Sequence, residues 1–385
     1  MYIQRQIETR IENHLQTRSE ILVIYGARQV GKSTLINRVL DGVGLKFLRI
    51  NGEELRYQRI FSGRNFAQMA GVVEGYDGLF IDEAQSIENI GVNIKILHDA
   101  MPELKIILSG SSSFELANRV KEPLTGRTKT ILLYPLAYKE LTNVFNDFEL
   151  KEYIKNYLVL GGYPGIFTLE NRVQKVRALS ELASAYLFKD IFAFAYLKSP
   201  RLLNNLLQML AFQIGNTVSL HELSKSLKTS SDTIGRYIDL LEKSFIVFRL
   251  SSFSRNLRKE IKKKDKIYFF DLGIRNAIIG NFADIDERND IGALWENFLI
   301  VERLKQIEYN DLIRKSYFWR TYSGSELDYV ETYDGKIDGY EFKWKKEKMR
   351  PPDAWTSKYP EATYHAITRN NFLDFVLASD FFREK

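Results

Sequence analysis

The residues best suited to chemistry lie near the amino terminus, between an apolar run and a helix-compatible stretch. Directly after the apolar residues 21–25 come Gly26, Ala27, Arg28, Gln29, Val30, Gly31, Lys32, Ser33 and Thr34. This G-x-x-x-x-G-K-[ST] spacing is the Walker A pattern, whose glycines let backbone N–H groups point at a phosphate, helped by the dipole of a helix over 32–40. Lys32 would reach the β- and γ-phosphates, and the Ser33 hydroxyl would bind Mg²⁺. An ordinary strand-to-helix turn is the alternative, but the flanking strand and helix favour a nucleoside triphosphate site.

Two carboxylates follow the apolar residues 78–81. In a phosphate-loop enzyme, Asp82 would orient the magnesium shell and Glu83 would orient the attacking water. Two acids at this position can also be a solvated strand end followed by a helix cap. The phosphate-loop sequence upstream favours the catalytic interpretation, with Asp82 as a metal ligand and Glu83 as the catalytic base.

Two further features could act on the γ-phosphate. The strand predicted over 105–108 ends in Ser109, Gly110, Ser111, Ser112 and Ser113, where a phosphate sensor would lie at the carboxyl end of a sheet. The sequence does not distinguish the four serines, and Ser111 is the candidate; a serine-rich turn is the alternative. Arg127 could neutralise phosphate charge in its own subunit, or in a neighbouring subunit if the protein forms a homo-oligomer. The alternative is that Arg127 forms a surface ion pair.

A second acidic site is predicted near the carboxyl terminus. Asp334-Gly335 is typical of a two-residue hairpin turn, and counting outward from Tyr333 opposite Lys336 places Asp328 opposite Glu341 and Glu326 opposite Lys343. Opposed carboxylates repel, so a cation is expected nearby, and a divalent metal fits. Asp and Glu-x-Lys in this arrangement form the core of a PD-(D/E)XK nuclease site, in which Asp328 and Glu341 hold Mg²⁺, Lys343 assists water, and Glu296 adds a ligand. The alternative is an exposed charged face with a Glu326–Lys343 ion pair.

A basic segment suggests a nucleic-acid partner. Residues 220–227 and 231–245 read as a helix-turn-helix, with Ser231 as the N-cap, and two strand-like runs follow at 246–250 and 266–270. Seven cations lie within residues 255–266, opposed by two acids. This pattern predicts a winged helix whose wing contacts DNA phosphates, through Arg258, Lys262, Lys263 and Lys264, with Arg236 on the recognition helix. A solvated lysine loop or an interdomain bracket is the alternative.

The composition of the chain limits the kinds of protein and of metal site that are possible. The chain has 385 residues, 45% hydrophobic and 27% charged, with a net charge of +6 and a pI of 9.0. It has no cysteine, which excludes disulfides and zinc-thiolate sites, and only four histidines remain as imidazole ligands, so any metal site must be built mainly from oxygen ligands. A charged amino terminus and the absence of a long apolar run predict a soluble cytoplasmic protein that does not span a membrane.

Strands recur at 21–25, 45–50, 78–81, 105–108 and 128–134, with helix-compatible stretches between them. This alternation predicts an α/β fold with a parallel sheet. We expect a P-loop ATPase domain over 1–143, a helical lid segment over 144–205, a winged-helix domain over 206–285 and a nuclease-like α/β domain over 286–385. In the last of these, a helix over 293–306 is predicted to precede strands near 317–319, 327–332 and 339–344.

Together, these motifs resemble bacterial and archaeal AAA+-like ATPases whose C-terminal module of unknown function combines a winged helix with a PD-(D/E)XK-like domain. The resemblance covers nearly the whole chain and rests on 26–34, 80–85, 109–113, 126–127, 134–136, 161–164, Glu296, 319–320, Asp328, Glu341 and Lys343. It implies ATP and Mg²⁺ as cofactors, and an ASCE-type sheet in which another strand separates the Walker B strand from the phosphate-loop strand.

The resulting hypothesis is a Mg²⁺-dependent ATPase that acts on DNA, with branched DNA as one candidate substrate and with turnover coupled to the winged-helix and nuclease-like domains. The alternative is a nucleotide-gated signalling switch whose C-terminal half binds a protein partner.

Overall fold

A computed structural model describes residues 2–17, 19–111, 124–185, 199–254, 265–345 and 349–378. The chain divides into two compact units. The N-terminal unit comprises Tyr2–Pro135 with Lys243–Phe245, and the C-terminal unit comprises Leu136–Glu242 with Ile246–Lys385.

The N-terminal unit is built on a parallel five-stranded sheet. Its strands are β1 Ile21–Tyr25, β2 Phe47–Asn51, β3 Gly78–Asp82, β4 Lys105–Gly110 and β5 Thr128–Leu132, in the order β2-β3-β4-β1-β5. Strand β1 is buried at every position, as expected for a sheet covered on both faces. Because β4 lies between β1 and β3, the predicted ASCE-type strand order is confirmed.

In the described part of this unit, the helices are α1 Glu8–Thr17, α2 Lys32–Gly42, α3 Leu55–Ser62, α4 Phe66–Val73 and α5 Ile90–Ala100, with a 3₁₀ turn at Ala84–Ser86. The predicted helix over 32–40 is therefore correct and runs two residues further. The apolar face of α5, at Ile90, Ile94 and Leu97, packs in one core with the inward side chains of β1, β3 and β4. This packing fixes the carboxyl ends of the three central strands.

The C-terminal unit begins with helices. They are α6 Asp147–Leu160, α7 Pro164–Phe167, α8 Arg172–Ala185, α9 Pro200–Phe212, α10 Leu220–Ser226, α11 Ser231–Lys243 and α12 Leu272–Ile279, with 3₁₀ turns at Tyr138–Asn143 and Ile285–Glu287. The turn between α10 and α11 contains Lys228 in the left-handed region, with φ of 53°. The expected N-cap was wrong by one residue, because the hydroxyl of Ser230, not that of Ser231, accepts the Thr233 N–H at 3.1 Å.

Two antiparallel strands follow α11: β6 Val247–Leu250 and β7 Lys266–Phe269. The basic segment between them falls outside the described residues. This includes Arg258, Lys262, Lys263 and Lys264, so their predicted contact with DNA stays a prediction.

A four-stranded sheet completes the C-terminal unit. Its strands are β8 Lys315–Arg320, β9 Glu326–Tyr333, β10 Lys336–Lys343 and β11 Thr363–Thr368, in the order β11-β10-β9-β8, and its helices are α13 Ile291–Tyr309, α14 Asp353–Lys358 and α15 Phe372–Leu377. The predicted hairpin register is confirmed from Tyr333–Lys336 to Tyr329–Tyr340. Both turn residues, Asp334 and Gly335, have positive φ, as a two-residue hairpin of this type requires.

Within the described ranges, every helix is either too short or too polar to cross a lipid bilayer.

Candidate functional site

The phosphate loop has the backbone shape that its glycines allow. Gly26, Gln29 and Gly31 have φ of 157°, 57° and 94°. A Cβ at position 26 would collide with the carbonyl oxygen of Leu133, so only glycine fits there. Since α2 begins immediately after Gly31, its N-terminal N–H groups are available to an anion beside the loop.

The lysine of the loop is folded back onto it. Lys32 is 5% exposed, and its Nζ donates to the carbonyl oxygens of Gly26 and Ala27 at 2.9 Å each. Ala27 and Val30 are buried, Arg28 is half-buried, and Gln29 and Thr34 are exposed. The ammonium thus lies within the loop that is expected to hold the phosphates.

Oxygen atoms of α2 and β3 meet next to the loop. The Ser33 hydroxyl donates to Asp82 Oδ2 at 2.6 Å, while Asp82 Oδ1 accepts from the Glu83 N–H at 3.1 Å and from the Ser109 hydroxyl. Mg²⁺ prefers oxygen ligands and usually keeps one or two carboxylates together with substrate phosphates. The hydroxyl oxygen of Ser33 and the carboxylate of Asp82 are therefore suitable ligands for Mg²⁺, the ion that the phosphate-loop fold implies.

Glu83 is held by side chains from two directions. It lies in the left-handed region with φ of 49°, and its Oε2 accepts from Ser111 Oγ at 3.2 Å and from Gln85 Nε2. Gln85 Nε2 also lies 3.4 Å from Ser111 Oγ, and both residues are buried. Ser109 thus donates a hydrogen bond to Asp82, and Ser111 donates one to Glu83. Ser112 and Ser113 fall outside the described residues.

Gln85 had no predicted role, although its position two residues after Glu83 was visible in the sequence. What the sequence could not show is the left-handed conformation of Glu83, which turns the chain so that the Gln85 amide reaches back to that carboxylate.

Arg127 lies at the other end of the sheet from the phosphate loop. It precedes β5, and its carbonyl accepts the N–H of Ile21 at the start of β1. A strand of this length places it about 16 Å from the loop at the carboxyl end. Arg127 instead makes two hydrogen bonds to Asp99, of 2.8 and 3.1 Å, and lowers the pKa of that carboxyl. The structure therefore does not bring Arg127 to the phosphate loop of its own unit, and the ion-pair alternative describes its surroundings.

The predicted acidic residues of the C-terminal unit lie on neighbouring elements. Asp328 Oδ2 accepts the Phe342 N–H at 2.8 Å, and Lys343 Nζ pairs with Glu341 Oε1 at 2.6 Å. Burial raises the pKa of Asp328 and of Glu341. The Glu326–Lys343 pair of the alternative interpretation does not form, because Glu326 pairs with Lys266 of β7 at 2.5 Å.

Lys266 also contacts Glu296, with Nζ 2.9 Å from Oε1, and Tyr268 donates to the same oxygen. Burial, followed by the charge of Asp328, raises the pKa of Glu296 to about 7. In the part of the chain that the structure describes, no three acidic or histidine side chains are placed to hold a metal ion. The Mg²⁺ site expected at Glu296, Asp328 and Glu341 stays a prediction, and Lys266 supplies positive charge beside Glu296 and Glu326.

Comparison with protein families agrees with the N-terminal geometry. Residues 18–142 match the family described as an AAA domain. The N-terminal unit is therefore similar to AAA domains. Residues 151–285 and 291–370 match two domains of unknown function, DUF8612 and DUF4143.

Relatives and solved structures are similar over most of the chain. Uncharacterized proteins of Mycobacterium tuberculosis and Haemophilus influenzae are each 26% identical over 331 residues, covering 85% and 80% of this chain and 70% and 79% of their own lengths. A Walker-type ATPase of Pyrococcus abyssi, 19% identical, aligns with a TM-score of 0.51 over 72% of this chain and 96% of its own. This likeness shows a shared fold.

Proposed function

We propose that the protein binds and hydrolyses ATP in a Mg²⁺-dependent reaction and that it acts on DNA. The observation that carries the ATPase proposal is the meeting of Ser33 with Asp82 at 2.6 Å beside a phosphate loop, with Glu83 on the next residue. A protein that only binds ATP needs the phosphate loop, whereas a protein that hydrolyses ATP also needs a carboxylate that can orient water.

Each residue of the site has a distinct task in this proposal. Lys32 leaves the carbonyl oxygens of Gly26 and Ala27 and donates to phosphate oxygens, while the first N–H groups of α2 bind the same anion. Ser33 and Asp82 would hold Mg²⁺, which neutralises phosphate charge when bound. Glu83 orients the attacking water, and Ser111 and Gln85 hold the Glu83 carboxylate in place.

The DNA proposal depends on the region around α11. Arg236 is exposed on α11, while Ile234, Tyr237 and Ile238 are buried on its other side. In the sequence, the cations of 255–264 follow this helix after one strand. A helix-turn-helix followed by a two-stranded sheet and a basic segment supports a winged helix that contacts a phosphate backbone. Strand cleavage is not part of the proposal, because Lys266 supplies cationic charge where the predicted nuclease metal was expected.

ATP hydrolysis measured with and without single-stranded, duplex and branched DNA tests both parts. We expect turnover that EDTA abolishes and that at least one form of DNA stimulates. A Lys262/Lys263/Lys264→Ala variant should lose the stimulation but keep the basal rate, and its DNA affinity should depend less steeply on salt. Basal turnover that no DNA form changes would favour the nucleotide-gated switch with a protein partner, whereas no turnover at all would reject the ATPase.

A further inference from the structure

We infer that the buried ammonium of Lys266 excludes a divalent metal ion from the C-terminal acidic cluster, whose carboxylates it links together in an arrangement that we call the joint. The cluster consists of Glu296 on α13, Glu326 and Asp328 on β9, and Glu341 on β10. The inference concerns a site that the proposed ATPase does not use.

The contacts of Lys266 come first. Its side chain is 2% exposed, and Nζ lies 2.9 Å from Glu296 Oε1 and 2.5 Å from Glu326 Oε1. The charges of Glu296, Glu326 and Asp328 raise the pKa of Lys266 although burial opposes this, so the ammonium stays protonated. Two carboxylates from different elements therefore share one buried positive charge.

The backbone fixes the ammonium in this position. Lys266 pairs with Leu250 in the β6–β7 ladder, and it also forms a bridge with Thr217 on its other side. Its Nζ lies 5.3 Å from the centre of the Phe318 ring, a favourable cation–π distance. A side chain held in this way cannot turn out to solvent without breaking both ion pairs.

A divalent ion at the same carboxylates would face this ammonium at close range. Like charges a few ångströms apart repel strongly where water is excluded, so the ion and Lys266 exclude each other. Removing only the ammonium would leave the carboxylates one cation short. The cluster without Lys266 should therefore gain the affinity for metal that the native chain lacks.

The joint connects three elements of the C-terminal unit. Lys266 and Tyr268 come from β7, Glu296 comes from α13, and Glu326 comes from β9. Because Lys266 is the first residue of β7, its ion pairs fix the start of that strand to the C-terminal sheet. A buried ion pair is well suited to specifying such a register.

Manganese binding to the full-length chain without nucleotide tests this inference. All proteins carry Asp82→Asn, which removes the carboxylate of the phosphate-loop site from the measurement. Melting is followed by tryptophan fluorescence, since all four tryptophans lie in the C-terminal unit. The parent protein, which keeps Lys266 and is called the Lys266 protein, should have the same melting temperature with and without Mn²⁺. Lys266→Met should have a lower melting temperature in EDTA, and Mn²⁺ should raise that temperature again in a saturable manner.

Three variants make the result specific. Lys266→Arg keeps the cation and should show no effect of Mn²⁺, and Lys155→Met, which removes a lysine from an exposed pair with Asp286, should behave likewise. Adding Asp328→Asn to Lys266→Met should abolish the effect of Mn²⁺. The inference is overturned if the Lys266 protein binds Mn²⁺ and loses it on Asp328→Asn, or if a folded Lys266→Met takes up no metal. If Lys266→Met folds neither in EDTA nor in Mn²⁺, the amount of Mn²⁺ bound by the Lys266 protein and by its Asp328→Asn form is measured by spectroscopy. Binding that Asp328→Asn abolishes overturns the inference, and no Asp328-dependent binding supports it.

Discussion

Ser111 donates a hydrogen bond of 3.2 Å to Oε2 of Glu83, which joins the end of β4 to the residue that follows β3. The two strands are parallel neighbours, so their carboxyl ends meet at one edge of the sheet. A carboxylate held by a buried serine and a buried glutamine has little freedom to turn away from a water molecule beside the phosphate loop.

The first prediction concerns this carboxylate. Glu83→Gln should bind ATP with unchanged affinity but hydrolyse it about 10²–10⁴-fold more slowly, because an amide cannot accept the proton of the attacking water. Single-turnover hydrolysis and a fluorescent-nucleotide titration measure the two quantities separately. Lys32→Ala is the contrasting variant, in which nucleotide affinity itself should fall. Wild-type turnover in Glu83→Gln would remove Glu83 from the catalytic role.

The second prediction concerns the side chains that hold Glu83. Ser111→Ala and Gln85→Ala should each lower kcat by roughly ten- to a hundredfold with little change in KM, since each loses a hydrogen bond to a charged group. The double variant should cost less than the product of the two single effects, because Gln85 also contacts Ser111. A rise in KM with kcat unchanged would mean that these residues act in nucleotide binding.

A third prediction tests Arg127. Because its guanidinium pairs with Asp99 at the amino end of the sheet, Arg127→Ala should leave single-subunit turnover close to wild type, and Asp99→Ala should match it. Loss of turnover in Arg127→Ala alone, with recovery on mixing with Glu83→Gln, would instead show an arginine that acts on a neighbouring subunit.

The sequence predicted those features that local residue order encodes. The phosphate loop, the acidic strand end and the Asp334-Gly335 hairpin each depend on residues within a few positions of one another, and the structure contains all three. The presence of one strand between the Walker B strand and the phosphate-loop strand followed from the family resemblance.

Features that depend on distant parts of the chain were missed. Lys266 approaches Glu326 from 60 positions upstream, so counting residues in the hairpin could not find it. The predicted parallel sheet already implied that Arg127, which precedes its strand, lies at the amino end, but the partner Asp99 lies 28 positions upstream and could not be found by local counting. Strand β11 was also missed, because Thr363–Thr368 is mixed in polarity and only Ile367 is fully buried.

A fourth prediction concerns a buried charge network that joins α13 to β9. Arg303 and Glu331 are both 0% exposed and contact each other at 2.5 and 2.9 Å, and Arg314 adds a bond of 2.8 Å to Glu331. Glu331→Gln leaves Arg303 buried without its countercharge, which typically costs about 3–5 kcal/mol. Urea unfolding followed by tryptophan fluorescence measures the loss in the C-terminal unit. As a control, Glu181→Gln breaks an exposed pair with Arg177 and should change stability by less than about 0.5 kcal/mol.

The same network predicts a dependence on pH. Burial raises the pKa of Glu331, but the hydrogen bonds and charges of Arg303 and Arg314 outweigh burial and hold that pKa below its ordinary value. A carboxyl with a lowered folded-state pKa contributes stability that is fully present above its unfolded pKa of about 4.3 and is lost as pH falls through the folded value. The stability gap between wild type and Glu331→Gln should therefore be constant from pH 7 to about 5 and narrow below about 4.3. A gap that stays constant below that pH would show that Glu331 stabilises the unit through packing and not through its charge.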